Sequence, residues 1–295
     1  MDFYTIDFET ANANLTSSCS IGLVGVKNGK IITKQYYLIN PEEEFLPSNI
    51  MIHGITSEMV KNEKTFPDVW KEISSCFNNT VIFAHCASFD LAVLYATLTK
   101  YNIPKPSFHF SDTLMIAKTT WPKEVMSNHK LNTIAKYLEV EHSHHNALSD
   151  ALVCVYIVNQ ALKIYQASTI PELHDKLYLR FGYFSQLRFF NPHHLNKRYQ
   201  NSLEKINNPN LYNKLVIYSG NPKHYQKQEF INLLLKNGAY IDTIVSKKMD
   251  YFIKLDKYKE DKLKQVEKLI NEGINIIILS EEELLRVVNN HELCN

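Results

Sequence analysis

The chain has 295 residues, 45% of them hydrophobic and 21% charged, a globular composition long enough for two cores at roughly 100–200 residues per domain. Its formal charge of +1 excludes a strongly acidic solvating protein and a basic nucleic-acid coat. No apolar run reaches the roughly 18 residues that cross a bilayer, and Asp2, Asp7 and Glu9 interrupt any N-terminal signal pattern. Cys19, Cys76, Cys86, Cys154 and Cys294 are scattered, with no C-x-x-C pair, which excludes a disulfide scaffold and a zinc ribbon. The expectation is a cytoplasmic protein with no membrane association.

In chain order, Phe3–Glu9 reads as a strand, followed by strands Ser20–Val26 and Ile31–Leu38 joined by an Asn28-Gly29 hairpin turn. Pro67 opens a helix through Phe77, with Val69, Ile73 and Phe77 on one face. Thr80–Ala84 is a short apolar strand, Asp90–Lys100 a helix and Ser107–Phe110 a further strand. Helices follow near Asp112–Lys118 and Lys130–Leu138, and Asn146 caps a long apolar helix running to about Leu162. Three antiparallel strands followed by strand–helix units indicate a mixed sheet covered by helices.

Periodicity weakens from about Ile164 to Asn213, a stretch read as a connector. A second strand–helix pattern begins at Lys214, with strands at Leu215–Tyr218, Tyr240–Val245, Tyr251–Ile253 and Ile274–Leu279. Its helices fall at Lys227–Asn237, Lys259–Glu272 and Glu281–Val288. Gly238 and Gly273 sit where helices need left-handed caps, and Ser280 with Glu283 forms a capping box. Residues 1–165, 166–213 and 214–290 are therefore the expected first domain, connector and second domain. The first 165 residues hold 13 lysines, no arginine and 16 acidic residues, a net of −3, so the remainder carries +4. That asymmetry fits a metal-binding catalytic domain joined to a part that meets nucleic acid, and equally fits ordinary surface variation.

Asp7 and Glu9 are two apart on the first strand, so they project from one face, where like charges repel unless they share a cation. Asp90 follows an apolar strand and opens a helix. His145 and Asp150 form H-x4-D; on one helix they would point about 140° apart. They converge only if His145 stands on the loop before the Asn146 cap. Read singly, each of these residues has an ordinary structural reading: a solvated strand face, a helix N-terminal acid, a hydrogen-bonded histidine.

Their order and spacing together resemble the DEDDh 3′–5′ exonucleases, the group containing the proofreading epsilon subunit of DNA polymerase III. The segments that carry the resemblance are Ile6–Thr10, Ile52-His53-Gly54-Ile55-Thr56, Ala84–Asp90 and His145–Ala151, within residues 1–162. The resemblance implies an RNase H-like, mixed five-stranded sheet. It implies two Mg²⁺ or Mn²⁺ ions held by Asp7, Glu9, Asp90 and Asp150, with Asp7 bridging, Glu9 and Asp150 completing the first site and Asp90 supporting the second. His145 would be the general base, and all five would be catalytic. Thr10, His53 and Phe89 would contact the terminal nucleotide, Phe89 by stacking on any base. Cys86 departs from the family, where asparagine is more usual, and puts a nearby hydrogen bond in doubt.

Lys214–Val288 resembles a BRCT domain of the kind that ends bacterial NAD-dependent DNA ligases. The carrying segments are Tyr218-Ser219-Gly220, Lys236-Asn237-Gly238-Ala239, Val245–Phe252 and Ser280–Leu285. The family's glycine pair is Gly238-Ala239 here, and Leu284 or Leu285 stands for a common tryptophan. The resemblance implies a small parallel-sheet α/β domain that binds DNA or a protein partner, with Ser219, Gly220 and Lys262 or Lys264 positioned as a phosphate pocket. Gln186-Leu187-Arg188-Phe189-Phe190 resembles the short peptide by which bacterial replication proteins dock on the sliding clamp, with Phe189 replacing leucine. The bland reading of the aromatic connector is a bracket packed on one domain. The expected function is exonucleolytic trimming of single-stranded or frayed DNA in proofreading or repair, with a DNA polymerase as a further partner. The rivals are an exoribonuclease of the same fold and an adaptor with a vestigial nuclease; the intact acids argue against the second.

Overall fold

A computed structural model describes residues 2–78, 80–186, 189–190, 193–194, 210–211, 214–242, 245–247 and 249–289. The chain divides into two compact units, Met1–Leu195 and Asn196–Asn295.

In the first unit, β1 (Phe3–Thr10), β2 (Ser18–Lys27) and β3 (Lys30–Leu38) form an antiparallel meander. Asn28 and Gly29 turn between β2 and β3 with φ of 53° and 69°, the left-handed pair a two-residue hairpin requires. Helices α1 (Pro47–His53), α2 (Ser57–Val60) and α3 (Phe66–Ile73) follow, and α3 runs into a 3₁₀ turn at Ser74–Phe77. Val69, Ile73 and Phe77 are fully buried, as their spacing predicts. β4 (Val81–Ala84) lies parallel to β1, and α4 (Ala87–Lys100) leads to β5 (Phe108–Asp112), parallel to β4. Helices α5 (Thr113–Thr120), α6 (Leu131–Tyr137) and α7 (Ala147–Ile164) complete the expected set.

Alternation along β1 sorts the two faces of the sheet. Tyr4, Ile6 and Phe8 join a core with residues of α3 and α4, whereas Phe3 joins one with α5, α6 and α7. Thr5, Asp7 and Glu9 share the face of Phe3 and look toward α7. By length and composition α7 is apolar enough to cross a bilayer. Its Ala147, Ala151, Cys154, Val158 and Ala161, spaced four and three apart, are instead buried in the core of this unit.

The sheet has seven strands, not five, in the order β3-β2-β1-β4-β5-β7-β8. Beyond α7, helix α8 (Ile170–Leu177) and the short strands β6 (Leu179–Arg180), β7 (Gly182–Phe184), β8 (Phe189–Phe190) and β9 (His193–His194) belong to the same compact unit. β7 pairs antiparallel with β5, and β8 with β7; β6 and β9 make a separate two-stranded sheet. The first unit therefore continues past residue 165, through part of the stretch read as connector. Phe184 is fully buried and stacks on Phe108 at 4.8 Å, so this aromatic run is packing material in its first half.

His174 on α8 illustrates that packing. It is 2% exposed, stacks on Phe181 at 3.6 Å, and its Nδ1 lies 3.1 Å from the Leu179 carbonyl. Burial pushes its pKa down to about 3, against the Leu179 contact, which raises it. The unfolded chain therefore takes up this proton first as pH falls, and stability that is complete above about pH 6.5 is lost toward pH 3, with a slope of up to about 1.4 kcal/mol per pH unit. Thermal melts of His174→Phe across pH 4–7 should show a shallower acid loss than wild type.

In the second unit, β10 (Leu215–Ser219), α9 (Lys227–Lys236), β11 (Tyr240–Asp242), β12 (Tyr251–Lys254), α10 (Glu260–Asn271), β13 (Ile277–Ser280) and α11 (Glu281–Asn289) alternate. The sheet is parallel throughout, in the order β11-β10-β12-β13. Gly238 and Gly273 both sit at φ 86°, and Ser280 and Glu283 bond reciprocally as a capping box. Its core gathers Leu211, Val216, Phe230, Leu234, Ile253 and Leu284.

Candidate active site

Four acids and a histidine from three places in the sequence meet where β1 outruns β4. β4 pairs with β1 only as far as Thr5, which leaves the next β1 amide on that side, Phe8 N, without a strand partner. Asp90, in the first turn of α4 and 2% exposed, fills the place: its Oδ1 accepts from Phe8 N at 2.9 Å. The end of β4 and the start of α4 thus deliver a carboxylate to the end of β1, where open α/β sheets commonly place their sites.

α7 delivers the other pair. Thr5 Oγ1 donates to the Ala151 carbonyl at 2.7 Å, which pins the helix to β1. The Asn146 side chain caps α7 by accepting from Ser149 N at 3.0 Å, and Asp150, 3% exposed, sits in the first turn. His145 stands on the preceding loop at φ 60°, as convergence requires. Its Nδ1 is 3.9 Å from Glu9 Oε1, and donor atoms of Glu9, His145 and Asp150 lie within 4.8 Å of one another.

The electrostatics follow from burial of like charge. The Asp7 carboxyl is held well above the usual range by burial and then by the charges of Asp90, Asp150 and Glu9. Glu9 is pushed up to about 8 by burial and Asp150, and Asp90 is raised by burial despite its amide bond from Phe8. Burial lowers the His145 pKa, reinforced by His144, so its imidazole is a neutral proton acceptor at neutral pH. The basic nitrogens within 4.0 Å of the Glu9 and Asp150 carboxylates among the described residues are those of His142, His144 and His145. An all-oxygen carboxylate set in which burial and neighbouring negative charge hold Asp7, Glu9 and Asp90 above the usual range fits a hard divalent cation such as Mg²⁺ or Mn²⁺.

Beside Glu9 opens a pocket of about 300 Å³ lined by Thr10, Asn12, Leu15, Asn49, Ile52, His53 and Phe89, among others. The structure thereby brings Thr10, His53 and Phe89 to one cavity. Phe89 is 45% exposed, which fits a stacking face better than core packing. His53 is tied into the fold: its Nδ1 accepts from Ile55 N at 3.0 Å, so Nε2 carries the proton and donates to the Thr10 carbonyl at 3.2 Å. Thr10 is itself buried, and its carbonyl also accepts from Asn49 Nδ2. Leu15 and Asn49 were not singled out by sequence, and Ile52 entered only as part of the Ile52–Thr56 segment; Ile52 and Leu15 are exposed apolar groups lining this cavity.

Two further residues position the acids. Cys86 is the N-cap of α4 at φ 61°, ψ 48°, a left-handed conformation that asparagine adopts more readily than cysteine. Its amide and that of Ala87 donate to the Asp112 carboxylate at 3.1 and 3.2 Å, while Asp112 also caps α5 by accepting from Leu114 N. Asp112 therefore does the loop-fixing that Cys86 left in doubt. Cys86→Asn should stabilise the first unit by on the order of 0.5–1 kcal/mol, read as a melting rise of about 2 °C.

The remaining sequence candidates separate. Ser219 is 5% exposed and its Oγ accepts from Lys259 N at 2.9 Å. Gly220 has φ 100° and lies so close to Asp256 that an added Cβ would sit 2.3 Å from its carbonyl oxygen. Lys262 is half-buried and Lys264 exposed on α10. Gln186 is exposed, its Oε1 accepting from Lys105 N at 2.7 Å. The backbones of Phe189 and Phe190 pair with β7 in the sheet; Leu187 and the side chains of Phe189 and Phe190 lie outside the described residues.

Comparison with known proteins adds three findings. A family model described as "Exonuclease" (RNase_T) matches residues 5–158. The DNA polymerase III PolC-type protein of Oceanobacillus iheyensis is 31% identical over 159 residues, 53% of this chain and 11% of that protein, and the one from Bacillus cereus is 28% identical over 251 residues, 83% of this chain and 17% of that protein. The chain thus spans under a fifth of these relatives' length. Among solved structures, Exonuclease X in complex with 5′ overhanging duplex DNA aligns with TM-score 0.47 at 25% identity, covering 59% of this chain and 99% of that one. The nuclease domain of 3′hExo, described as a DEDDh family member bound to rAMP, aligns with TM-score 0.47 at 18% identity over 55% of this chain and 91% of that one.

Proposed function

The chain belongs to the exonuclease family that its residues 5–158 match, and from that premise we propose that it is a metal-dependent 3′–5′ exonuclease acting on single-stranded or frayed DNA. The observation that carries the proposal is the convergence of Asp7, Glu9, Asp90, Asp150 and His145 beside an open, partly apolar pocket. Asp7, Glu9, Asp90 and Asp150 would hold two Mg²⁺ or Mn²⁺ ions. Bound there, these ions would supply Lewis-acid polarisation of the scissile phosphate and a more acidic water. His145 takes the proton of the attacking water, as its lowered pKa and its position at the mouth of the acid cluster allow. Phe89 and Ile52 offer apolar faces to the terminal base, and Thr10, fixed through its carbonyl by Asn49 and His53, shapes the pocket wall. DNA is favoured because the curated relatives are DNA polymerases.

The second unit, with its parallel order β11-β10-β12-β13, is read as a BRCT-like module that binds DNA or a protein partner. A phosphate pocket there would use Ser219, the Gly220 amide and Lys262 or Lys264; the Ser219 hydroxyl already accepts from Lys259 N. For Gln186–Phe190, the pairing of β8 with β7 supports the internal bracket over the clamp peptide. Matched 5′-labelled DNA and RNA oligonucleotides incubated with Mg²⁺ or Mn²⁺ test the main reading. Stepwise shortening of the DNA from its 3′ end supports it; preferential loss of the RNA favours the exoribonuclease instead.

A further inference from the structure

We propose that His142, His144 and Asp150 form a second metal site, one that takes a zinc-class ion and in doing so withdraws Asp150 from the carboxylate cluster. His142 Nε2 lies 2.5 Å from Asp150 Oδ1, and His144 Nδ1 lies 3.9 Å from the same oxygen. The three donor atoms fall within 4.8 Å of one another. Two imidazoles and one carboxylate suit Zn²⁺, in contrast to the all-oxygen set on the other side of Asp150.

The surroundings are those of a ligand. The far nitrogen of the ring, His142 Nδ1, meets Asn132 Oδ1 at 2.8 Å. An amide oxygen only accepts, so Nδ1 is the donor in that contact, and it holds the ring with Nε2 turned toward Asp150. The Asn132 contact is the outer-shell bond that metal-binding histidines characteristically make, and it fixes the ring with one nitrogen directed at the shared carboxylate. His142 also lines a cleft of about 600 Å³ with Asn128, Asn132 and Lys136, which gives an ion a route in. The His144 side chain is 38% exposed, leaving room for water to complete four-coordination.

The metal-binding half of this proposal stands apart from the exonuclease reading; the inhibitory half rests on it. Full-length protein, stripped with chelator and dialysed, is titrated with Co²⁺ in the presence of Mg²⁺ and followed by visible absorption, then back-titrated with Zn²⁺. The expected result is one equivalent of strongly absorbing, four-coordinate cobalt that zinc displaces. His142→Ala and His144→Ala should each abolish the signal. Asn132→Ala, which leaves all ligands in place, should weaken the site by about tenfold or more. Asp7→Asn should leave it intact. Only weak six-coordinate absorption, a full signal in His142→Ala or His144→Ala, or wild-type cobalt affinity in Asn132→Ala overturns the site. In cleavage assays, the Zn²⁺ concentration that halves each variant's own zinc-free rate should rise about tenfold in Asn132→Ala. An unchanged concentration there, with cobalt binding weakened, overturns the inhibitory role alone, and absence of any cleavage by wild type overturns the exonuclease reading while leaving the cobalt result standing.

Discussion

Replacing Asp7 by asparagine is expected to lower phosphodiester cleavage by roughly 10³-fold or more while raising the melting temperature of the metal-free protein. Asp7 is central in β1, and its carboxyl is driven toward protonation by burial first and then by Asp90, Asp150 and Glu9. An amide of the same shape removes that repulsion, so the apo fold gains. The same change removes an oxygen ligand, so the gain from adding divalent ions should shrink. Thermal melts with and without Mn²⁺ separate the two effects: wild type should rise clearly on adding metal, and Asp7→Asn should start higher and rise less. A variant that starts lower and still rises as wild type does would place Asp7 in the fold and outside the metal site.

Gly22→Ala is expected to cost about 1–3 kcal/mol of stability and about 10²-fold in rate, although Gly22 touches neither substrate nor metal in this account. Gly22 is the β2 partner of Asp7. A Cβ built there would lie 2.2 Å from the Ala147 carbonyl oxygen and 2.4 Å from Leu148 N, so the first turn of α7 must back away. That turn carries Asp150, and the loop before it carries His145. Gly25→Ala is the matching control. Its Cβ would press on Tyr4 and Thr33 side chains at 2.6 Å, away from the acids, so it should destabilise without a comparable loss of rate. Equal rate losses in the two variants, scaled to equal stability losses, would remove the positioning role of Gly22.

The contrast between those two glycines shows what sequence could and could not reveal. Asp7 and Glu9 were legible because a period of two sets the face of a strand whatever surrounds it. His145 was legible because Asn146 marks where α7 begins, and the cap fixes which side of the helix start the histidine occupies. Gly22 was not, since its importance comes from a helix more than a hundred residues away that lies directly on it. Asp112 was equally silent: an acid at the end of a strand has no pattern that says it will hold the amides of Cys86 and Ala87. His142 likewise acquires its meaning only when α6 presents Asn132 to it.

Some misses had readable signals. Helix α1 starts at Pro47 and ends on left-handed Gly54, and α8 has Thr169 accepting from Glu172 N with Pro171 in its first turn. Proline in the first turn suits a helix start, so both starts carried a signal that the sequence reading did not use. Strands β6 to β9, two or three residues each, are too short to show any period. Their aromatic residues read as a connector, and the sheet came out two strands longer than expected.

On the proposed function, the acid cluster removes nucleotides from the 3′ end. A 3′-labelled and a 5′-labelled single strand, followed in parallel with wild type and Asp150→Asn, with Mn²⁺ and with chelator, put this to the test. Immediate mononucleotide release from the 3′ label and gradual shortening of the 5′-labelled strand are expected, by wild type with metal alone. Release from the 5′ label first, or equal cleavage by Asp150→Asn, would contradict it.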